Sequence, residues 1–395
     1  MSQPQESQES PMVPQVPMNR LYTADKPIFR LGFGMMRLPV KEDQSIDRDL
    51  LAKMIGVARD AGVNYFDTAY VYMDGNSEVV TGELLANYPR ESFYLADKLP
   101  VWDIHSTGDV DRIFNEQLKK CGVEYFDFYL LHCMTASKLP LIEKHRMIDY
   151  LDRQKRAGKI RHFGFSFHDT PEALEKILDC YDWDFTQIQL NYLDWELLDA
   201  KRQYEILSRR GIPVAVMEPV RGGALATLSP PALDYLKSVD PAKSAASWAL
   251  RYVASLDNVY VVLSGMSDLR QVEDNVKTFS PMVPLSEEDH KTIARALALY
   301  RRSESIPCTA CRYCMDCPNG VDIPKNFAVY NRFLATKNEV EFLNGYNTLG
   351  TARQAANCVG CGQCLDKCPQ KIAISELMPK IAERYNAIEK PSWFI

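Results

Sequence analysis

Eight of the chain's 11 cysteines lie in two short runs, "CTACRYCMDCP" at 308–318 and "CVGCGQCLDKCP" at 358–369. The first run is spaced C-x2-C-x2-C-x2-C-P and the second C-x2-C-x2-C-x3-C-P. Three thiolates at x2 spacing can wrap one cubane iron–sulfur cluster, while a fourth followed by proline leads the chain away. The candidate metal ligands are therefore Cys308, Cys311, Cys314 and Cys317 with Cys358, Cys361, Cys364 and Cys368. Zinc is the alternative, but an ion needs only two C-x2-C pairs and leaves the threefold spacing and trailing proline unexplained. Disulfides suit an exported chain, whereas the stretch "MSQPQESQESPMVPQVPMNR" lacks the basic segment and apolar core expected of a signal peptide.

A second group of residues points to different chemistry. Asp67 and Tyr72 lie in "FDTAYVY", Lys98 ends "YLADK", and His132 ends "DFYLLH". Taken singly, each has a structural reading: a hydrogen-bonded core histidine, a lysine reaching solvent, a tyrosine packed on a rim. Taken together they suit carbonyl reduction. A phenol of ordinary pKa near 10 is a poor acid at neutral pH. A nearby ammonium lowers that pKa, and a carboxylate holds the ammonium in place. An imidazole can donate to the carbonyl oxygen while hydride reaches carbon.

These residues need a scaffold that brings strand ends together. Strand-like apolar runs occur at 31–38, 63–69, 93–98, 126–132, 161–167, 185–191, 213–219 and 259–265. Helical-period stretches such as 47–62, 145–158 and 242–255 fill the gaps, and the first two end in Gly, which accepts a left-handed helix terminus. Alternation of this kind predicts an α/β fold, a (β/α)8 TIM barrel, whose chemistry sits at the C-terminal ends of the strands. A doubly wound sheet is the competitor, but "GFGMMR" breaks off after two glycines of the G-x-G-x-x-G fingerprint. A helix with a Ser cap and an acidic first turn is predicted at 285–302, and one long helical stretch at 326–346.

"FDTAYVY", "ADK" and "DFYLLH", in this order, resemble the aldo/keto reductase family, as do "GFGMMRLP" and "GKIRHFGFS"; the likeness spans about residues 30–280. The resemblance implies a TIM barrel that uses NADP or NAD, with Tyr72 as general acid/base, Lys98 and Asp67 tuning it, and His132 orienting substrate. It also implies cofactor contacts. Gly34 and Met35 lie in the first strand-like run, and Ser166 and Gln189 fall where the family binds the nicotinamide amide. Met217 stands where many members stack an aromatic ring. The loop Pro219–Leu225, with Val220, Gly222 and Leu225, is similar to the pyrophosphate-embracing loop. Gly265, Ser267, Gln271 and Asn275 fall at the adenosine end. The family's Asn after Ser166 is replaced here by Phe167, and Gly265 and Gln271 stand where NADP-selective members often carry cations; the choice of nucleotide stays open. Arg270, one residue away, is a possible substitute cation.

The cysteine runs resemble a bacterial ferredoxin-type module with two [4Fe–4S] clusters. The resemblance implies ligand exchange, with Cys308, Cys311, Cys314 and Cys368 on one cluster and Cys358, Cys361, Cys364 and Cys317 on the other. The x2 spacing before Cys317 departs from that pattern and leaves the pairing open. Cys121, Cys133 and Cys180 read as packing residues, Cys133 also as a candidate for the barrel mouth.

The bulk numbers set limits. With 395 residues, 46% hydrophobic and 25% charged, the chain has room for one large and one small domain. A net charge of −6 offers no basic surface for nucleic acid, and no apolar run is long enough to span a membrane. The expected organisation is a disordered tail over 1–28, a barrel over 29–304 and an iron–sulfur domain over 305–395, in the cytoplasm. The expected partner is a small carbonyl or alcohol substrate, with a redox protein as a further candidate; the oligomeric state is open. Aromatic loops at 101–105 and 191–199 are candidates for an apolar substrate pocket. Two other functions compete with hydride transfer, namely electron relay from nicotinamide through the clusters to a partner, and nicotinamide sensing without catalysis. In the relay a flavin would be needed to split the electron pair.

Overall fold

The computed structural model of the protein describes residues 27–300 and 306–389. The tail expected over 1–28 falls almost wholly outside the described residues, as does the boundary expected near residue 305.

Eight parallel strands close into one barrel. They are β1 (Leu31–Gly34), β2 (Tyr65–Asp67), β3 (Tyr94–Leu99), β4 (Phe126–Met134), β5 (Ile160–Phe167), β6 (Phe185–Gln189), β7 (Val214–Met217) and β8 (Val259–Ser264). Each pairs with its successor, and β1 pairs with β8. All eight predicted runs form strands, shorter at several ends than the apolar stretches. Helices cover the outside, so nearly every strand residue is buried on both faces, which accounts for the unbroken apolar runs.

Inside the barrel, Tyr65, Phe128, Phe185 and Tyr260 form an aromatic floor, with ring centroids 5.0 Å (Tyr65–Phe128) and 5.2 Å (Phe128–Phe185) apart. Such a floor leaves only the C-terminal mouth for chemistry. Strand closure also fixes a glycine: a Cβ at Gly164 would lie 2.4 Å from the Phe185 carbonyl oxygen. The predicted helices at 47–62 and 145–158 appear as Arg48–Asp60 and Met147–Arg156, with Gly62 and Gly158 at positive φ of 102° and 77°.

The C-terminal module is mainly helical, with helices Ile323–Thr336, Glu339–Asn347 and Ile374–Ala387 around a core that includes Phe327, Phe342, Tyr346, Met378 and Ile381. The stretch expected as one helix over 326–346 is broken. Lys337 adopts φ 54°, and the Asn338 side chain accepts from Glu341 N and starts a second helix. The helix predicted at 285–302 appears as Glu287–Tyr300, where Ser286 Oγ accepts from Asp289 N and the Asp289 carboxylate accepts from Ser286 N. Cys121 and Cys133 are buried, as packing residues should be, whereas Cys180 is exposed.

Candidate active site

The ends of β2, β3 and β4 deliver three of the four residues. Lys98, fully buried on β3, donates through Nζ to Asp67 Oδ1 at 2.5 Å and to the Thr68 carbonyl at 2.6 Å. Asp67 closes β2 with its Oδ2 unpartnered. Burial pushes its carboxyl above the usual range, and Lys98 pulls against this.

Tyr72 follows in a turn, where Met73 and Asp74 take left-handed φ values of 52° and 54°. That turn is braced by a chain of hydrogen bonds from Thr68 Oγ1 and Ser77 Oγ (2.8 Å) to the Met35 carbonyl (2.8 Å). The Lys98 ammonium lies 4.9 Å from the centre of the Tyr72 ring, over its face rather than at its hydroxyl. Burial and then the Asp67 charge push the Tyr72 hydroxyl well above its ordinary value. This reverses the direction expected from a nearby lysine, because burial of the phenol outweighs it. Tyr72 is therefore held protonated.

His132 lies at a bulge in β4, where the pairing with β5 shifts between Leu131 and Met134 and Cys133 adopts φ 55°. Bulges re-aim side chains. This one turns the imidazole edge-on to Tyr72, with ring centroids 5.7 Å apart. The Cys133 N–H donates to Ser166 Oγ at 2.8 Å and fixes the bulge. Burial, then Lys98, hold His132 well below its usual pKa, hence neutral. Asp67, Tyr72, Lys98 and His132 thus meet at one mouth.

The expected cofactor residues fall at the C-terminal ends of β1, β5, β6 and β7 and in the segments that follow β7 and β8. Met35 is buried, with its N–H on the Asp67 carbonyl at 2.8 Å, and a Cβ at Gly34 would press on the Ser264 carbonyl at 3.3 Å. Gln189 donates to Asp194 at 2.7 Å and exchanges hydrogen bonds with Gln370 of the C-terminal module at 3.0 and 2.6 Å. Met217 closes β7, half-buried. In the loop Pro219–Leu225, Pro219 and Leu225 are buried, Val220 is half-buried and Gly222 has φ 62°. Arg221 in that loop forms a buried pair with Asp194 at 3.0 Å. At the far end a Cβ on Gly265 would meet Arg37, and Ser267 Oγ donates to the Arg37 carbonyl at 2.9 Å. Gln271 is taken up by Asp268 and the Ser267 N–H, and Asn275 by Ser264 Oγ. Arg270, 91% exposed, pairs with Asp268 at 3.7 Å.

Two residues at the mouth, Tyr313 and Arg37, were not singled out by the sequence. Tyr313, between Cys311 and Cys314, places its hydroxyl 3.0 Å from His132 Nε2. Trp102 packs against both rings at 5.1 and 6.1 Å. Arg37 donates to the Thr309 carbonyl at 2.7 Å and pairs with Glu218 at 3.0 Å. Between barrel and module runs a cleft of about 1640 Å3, lined by Tyr72, Trp102, Lys138, His168, Arg37 and Ser267 on one side and by Cys311, Arg312, Tyr313 and Cys368 on the other. Of the two expected aromatic loops, 101–105 reaches this cleft through Trp102, whereas 191–199 does not line it.

The cysteines gather around two cavities. One is lined by Cys308, Cys311, Cys314 and Cys368, the other by Cys317, Cys358, Cys361 and Cys364, and Cys314 lines both. Each cavity draws thiols from both runs. Burial pushes the Cys311 and Cys314 thiols up to about 12, an environment in which thiolates persist when metal compensates their charge. The donor set fits iron–sulfur clusters.

Comparison with known proteins agrees with both halves. Residues 30–298 match the aldo/keto reductase family and residues 307–373 a 4Fe-4S dicluster domain. The chain belongs to the aldo/keto reductase family and carries a C-terminal 4Fe-4S domain. It is 26% identical over 229 residues to the NADH-specific methylglyoxal reductase of Escherichia coli, covering 52% of this chain and 68% of that one. It is 25% identical over 294 residues to the L-galactose dehydrogenase of Arabidopsis thaliana, covering 68% and 89%. Among solved structures, the holo form of a Bacillus halodurans aldo-keto reductase superposes with a TM-score of 0.57 at 24% identity, covering 70% of this chain and 94% of that one. A Klebsiella pneumoniae aldo-keto reductase in complex with NADPH gives 0.56 at 20% identity, covering 69% and 91%. Among the described residues no helix is long and apolar enough to cross a membrane.

Proposed function

We propose that the protein reduces a small carbonyl compound, or runs the reverse oxidation, at the mouth formed by Asp67, Tyr72, Lys98 and His132. Tyr72 gives its proton to the carbonyl oxygen, and its burial keeps that proton in place until the oxygen becomes more basic. His132 is neutral and has Nδ1 unpartnered. A bare buried lone pair costs less than a buried orphan N–H, so the proton is assigned to Nε2, from which it donates to the carbonyl oxygen. Lys98 holds Asp67 and the Thr68 carbonyl and so fixes the turn that presents Tyr72. NADP or NAD, when bound, supplies the hydride. Ser166 and Gln189 would hold its amide end, Pro219–Leu225 its pyrophosphate, and Ser267, Gln271 and Asn275 its adenosine end. The eight cysteines would hold two [4Fe–4S] clusters, one on Cys308, Cys311, Cys314 and Cys368, the other on Cys317, Cys358, Cys361 and Cys364.

The observation that carries this reading is the meeting of a buried phenol, a lysine–carboxylate pair and a neutral imidazole at one barrel mouth. Its test is Tyr72→Phe, assayed with NADPH and NADH against a panel of small aldehydes and ketones that includes methylglyoxal, the dicarbonyl named for the E. coli relative. Loss of roughly 10²–10⁴ in kcat with little change in nucleotide affinity is expected. Reduction at the wild-type rate would remove Tyr72 from the mechanism.

A further inference from the structure

The C-terminal module carries two side chains that match, group for group, the ligands proposed above. Tyr313 sets a hydroxyl 3.0 Å from His132 Nε2. With the proton on Nε2, the Tyr313 oxygen accepts from His132 as a carbonyl oxygen would. Gln370 is a primary carboxamide, the same functional group as the amide of nicotinamide. It donates to Gln189 Oε1 at 2.6 Å and accepts from Gln189 Nε2 at 3.0 Å, with Arg221 Nη2 3.4 Å from its oxygen. Gln370 is 7% exposed, so this reciprocal amide pair is formed in the interior.

The module's backbone closes the remaining gap. The Thr309 carbonyl oxygen lies 2.3 Å from where a Cβ on Gly222 would be, so it is pressed onto the loop expected to embrace pyrophosphate. Arg37 ties the same carbonyl to the barrel at 2.7 Å, and Lys371 pairs with Asp169 at 3.1 Å. The cleft stays open beside Tyr72, Arg37 and Ser267. Gln189, Met217 and Gly222, at the nicotinamide and pyrophosphate end, do not line it.

We propose that the iron–sulfur module is a self-occupying cap, with Tyr313 in the place of the substrate's carbonyl oxygen and Gln370 in the place of the nicotinamide amide. The inference rests on the reading of Tyr72, His132 and Gln189 given above. In this state the barrel is closed to the nicotinamide end of the nucleotide, and turnover requires the module to lift. The apparent affinity for nucleotide is then the intrinsic affinity multiplied by the fraction of molecules with the module lifted. Tyr313 lies between Cys311 and Cys314, and Gln370 lies two residues past Cys368. Both plugs are thus anchored by thiols of the cavity formed by Cys308, Cys311, Cys314 and Cys368, and its filling sets how firmly they seat.

The test is equilibrium binding of NADPH and of NADH to the anaerobically purified holoprotein, by titration calorimetry, with iron and sulfide content matched between variants. Gln370→Ala removes the competing amide, and Tyr313→Phe removes the competing hydroxyl while keeping the ring. A neutral hydrogen bond contributes enough that each variant should bind nucleotide roughly five- to tenfold more tightly, and the double variant more tightly still. Unchanged or weaker binding in both variants, with iron content intact, overturns the cap. Tyr72→Phe separates the two ideas. If the cap variants bind more tightly yet Tyr72→Phe reduces carbonyls at full rate, the cap stands and the catalytic reading falls. If Tyr72→Phe abolishes reduction and the cap variants leave affinity unchanged, the catalytic reading stands and the cap falls.

Discussion

Replacing Lys98 with Met keeps the length and bulk of the side chain but removes the ammonium 2.5 Å from Asp67. Asp67 is 3% exposed and its second oxygen already has no partner. Removing one member of a buried ion pair typically costs about 3–5 kcal/mol, because the other charge is left uncompensated. Protonation sets a ceiling. A carboxylate of ordinary pKa near 3.9 can be neutralised at pH 7 for about 4 kcal/mol, at about 1.4 kcal/mol per unit. The expected loss at pH 7 is therefore about 3–4 kcal/mol, or about 6–16 °C in Tm for a barrel of this size. The sign with pH follows. The variant's Asp67 has its folded pKa raised further, so it binds a proton that the unfolded chain releases above pH 4. The deficit relative to wild type shrinks as pH falls and is about 1.5 kcal/mol at pH 5. The assay is urea unfolding followed by tryptophan fluorescence, at both pH values. Adding Asp67→Asn should restore most of the lost stability, since no charge is left buried, without restoring carbonyl reduction. A loss below about 1 kcal/mol at pH 7, or no recovery in the double variant, would refute the claim that Lys98 is held there as the counter-ion of Asp67.

The thiol grouping predicts that Cys308→Ser with Cys368→Ser halves the iron bound per chain, whereas Cys308→Ser with Cys317→Ser removes nearly all of it; colorimetric iron and sulfide analysis reads both. His132, 2% exposed and held neutral, makes acid destabilising. The unfolded chain takes up a proton near pH 6.5 that the folded site refuses, so stability falls below that pH by about 1.4 kcal/mol per unit. His132→Gln should flatten the slope between pH 6 and 5 by about that amount in the same urea assay. Gly222→Ala, at φ 62° with the Thr309 carbonyl 2.3 Å from the new Cβ, should loosen the docking of the module and raise hydrogen exchange at the Thr309 and Ala310 amides.

The barrel was legible because its strands are buried on both faces and so write themselves as apolar runs. Strand-end chemistry could be read for the same reason: Lys98 and His132 are conspicuous where an apolar run stops. Asp67 likewise ends an apolar run, with Tyr72 five residues on. What the sequence did not announce lies where distant segments meet. Nothing in the residue types or spacing marks Tyr313, Gln370 or Arg37; each meets its partners only across the junction of module and barrel. Spacing places a lysine near the Tyr72 phenol but does not show how deeply the phenol is buried, and burial, then the Asp67 charge, sets the direction of its shift. The break in the stretch 326–346 turned on one residue, Asn338, whose capping outweighed an otherwise helical period.

The most direct test of the account follows the hydrogen that reaches carbon. With nucleotide deuterated on one face of C4, the best substrate of the panel should acquire one deuterium at the carbinol carbon, with the same stereochemistry in every turnover. Reactions run in D2O with unlabelled nucleotide should leave that carbon free of deuterium. Product labelled at carbon from solvent instead would contradict hydride transfer at this site.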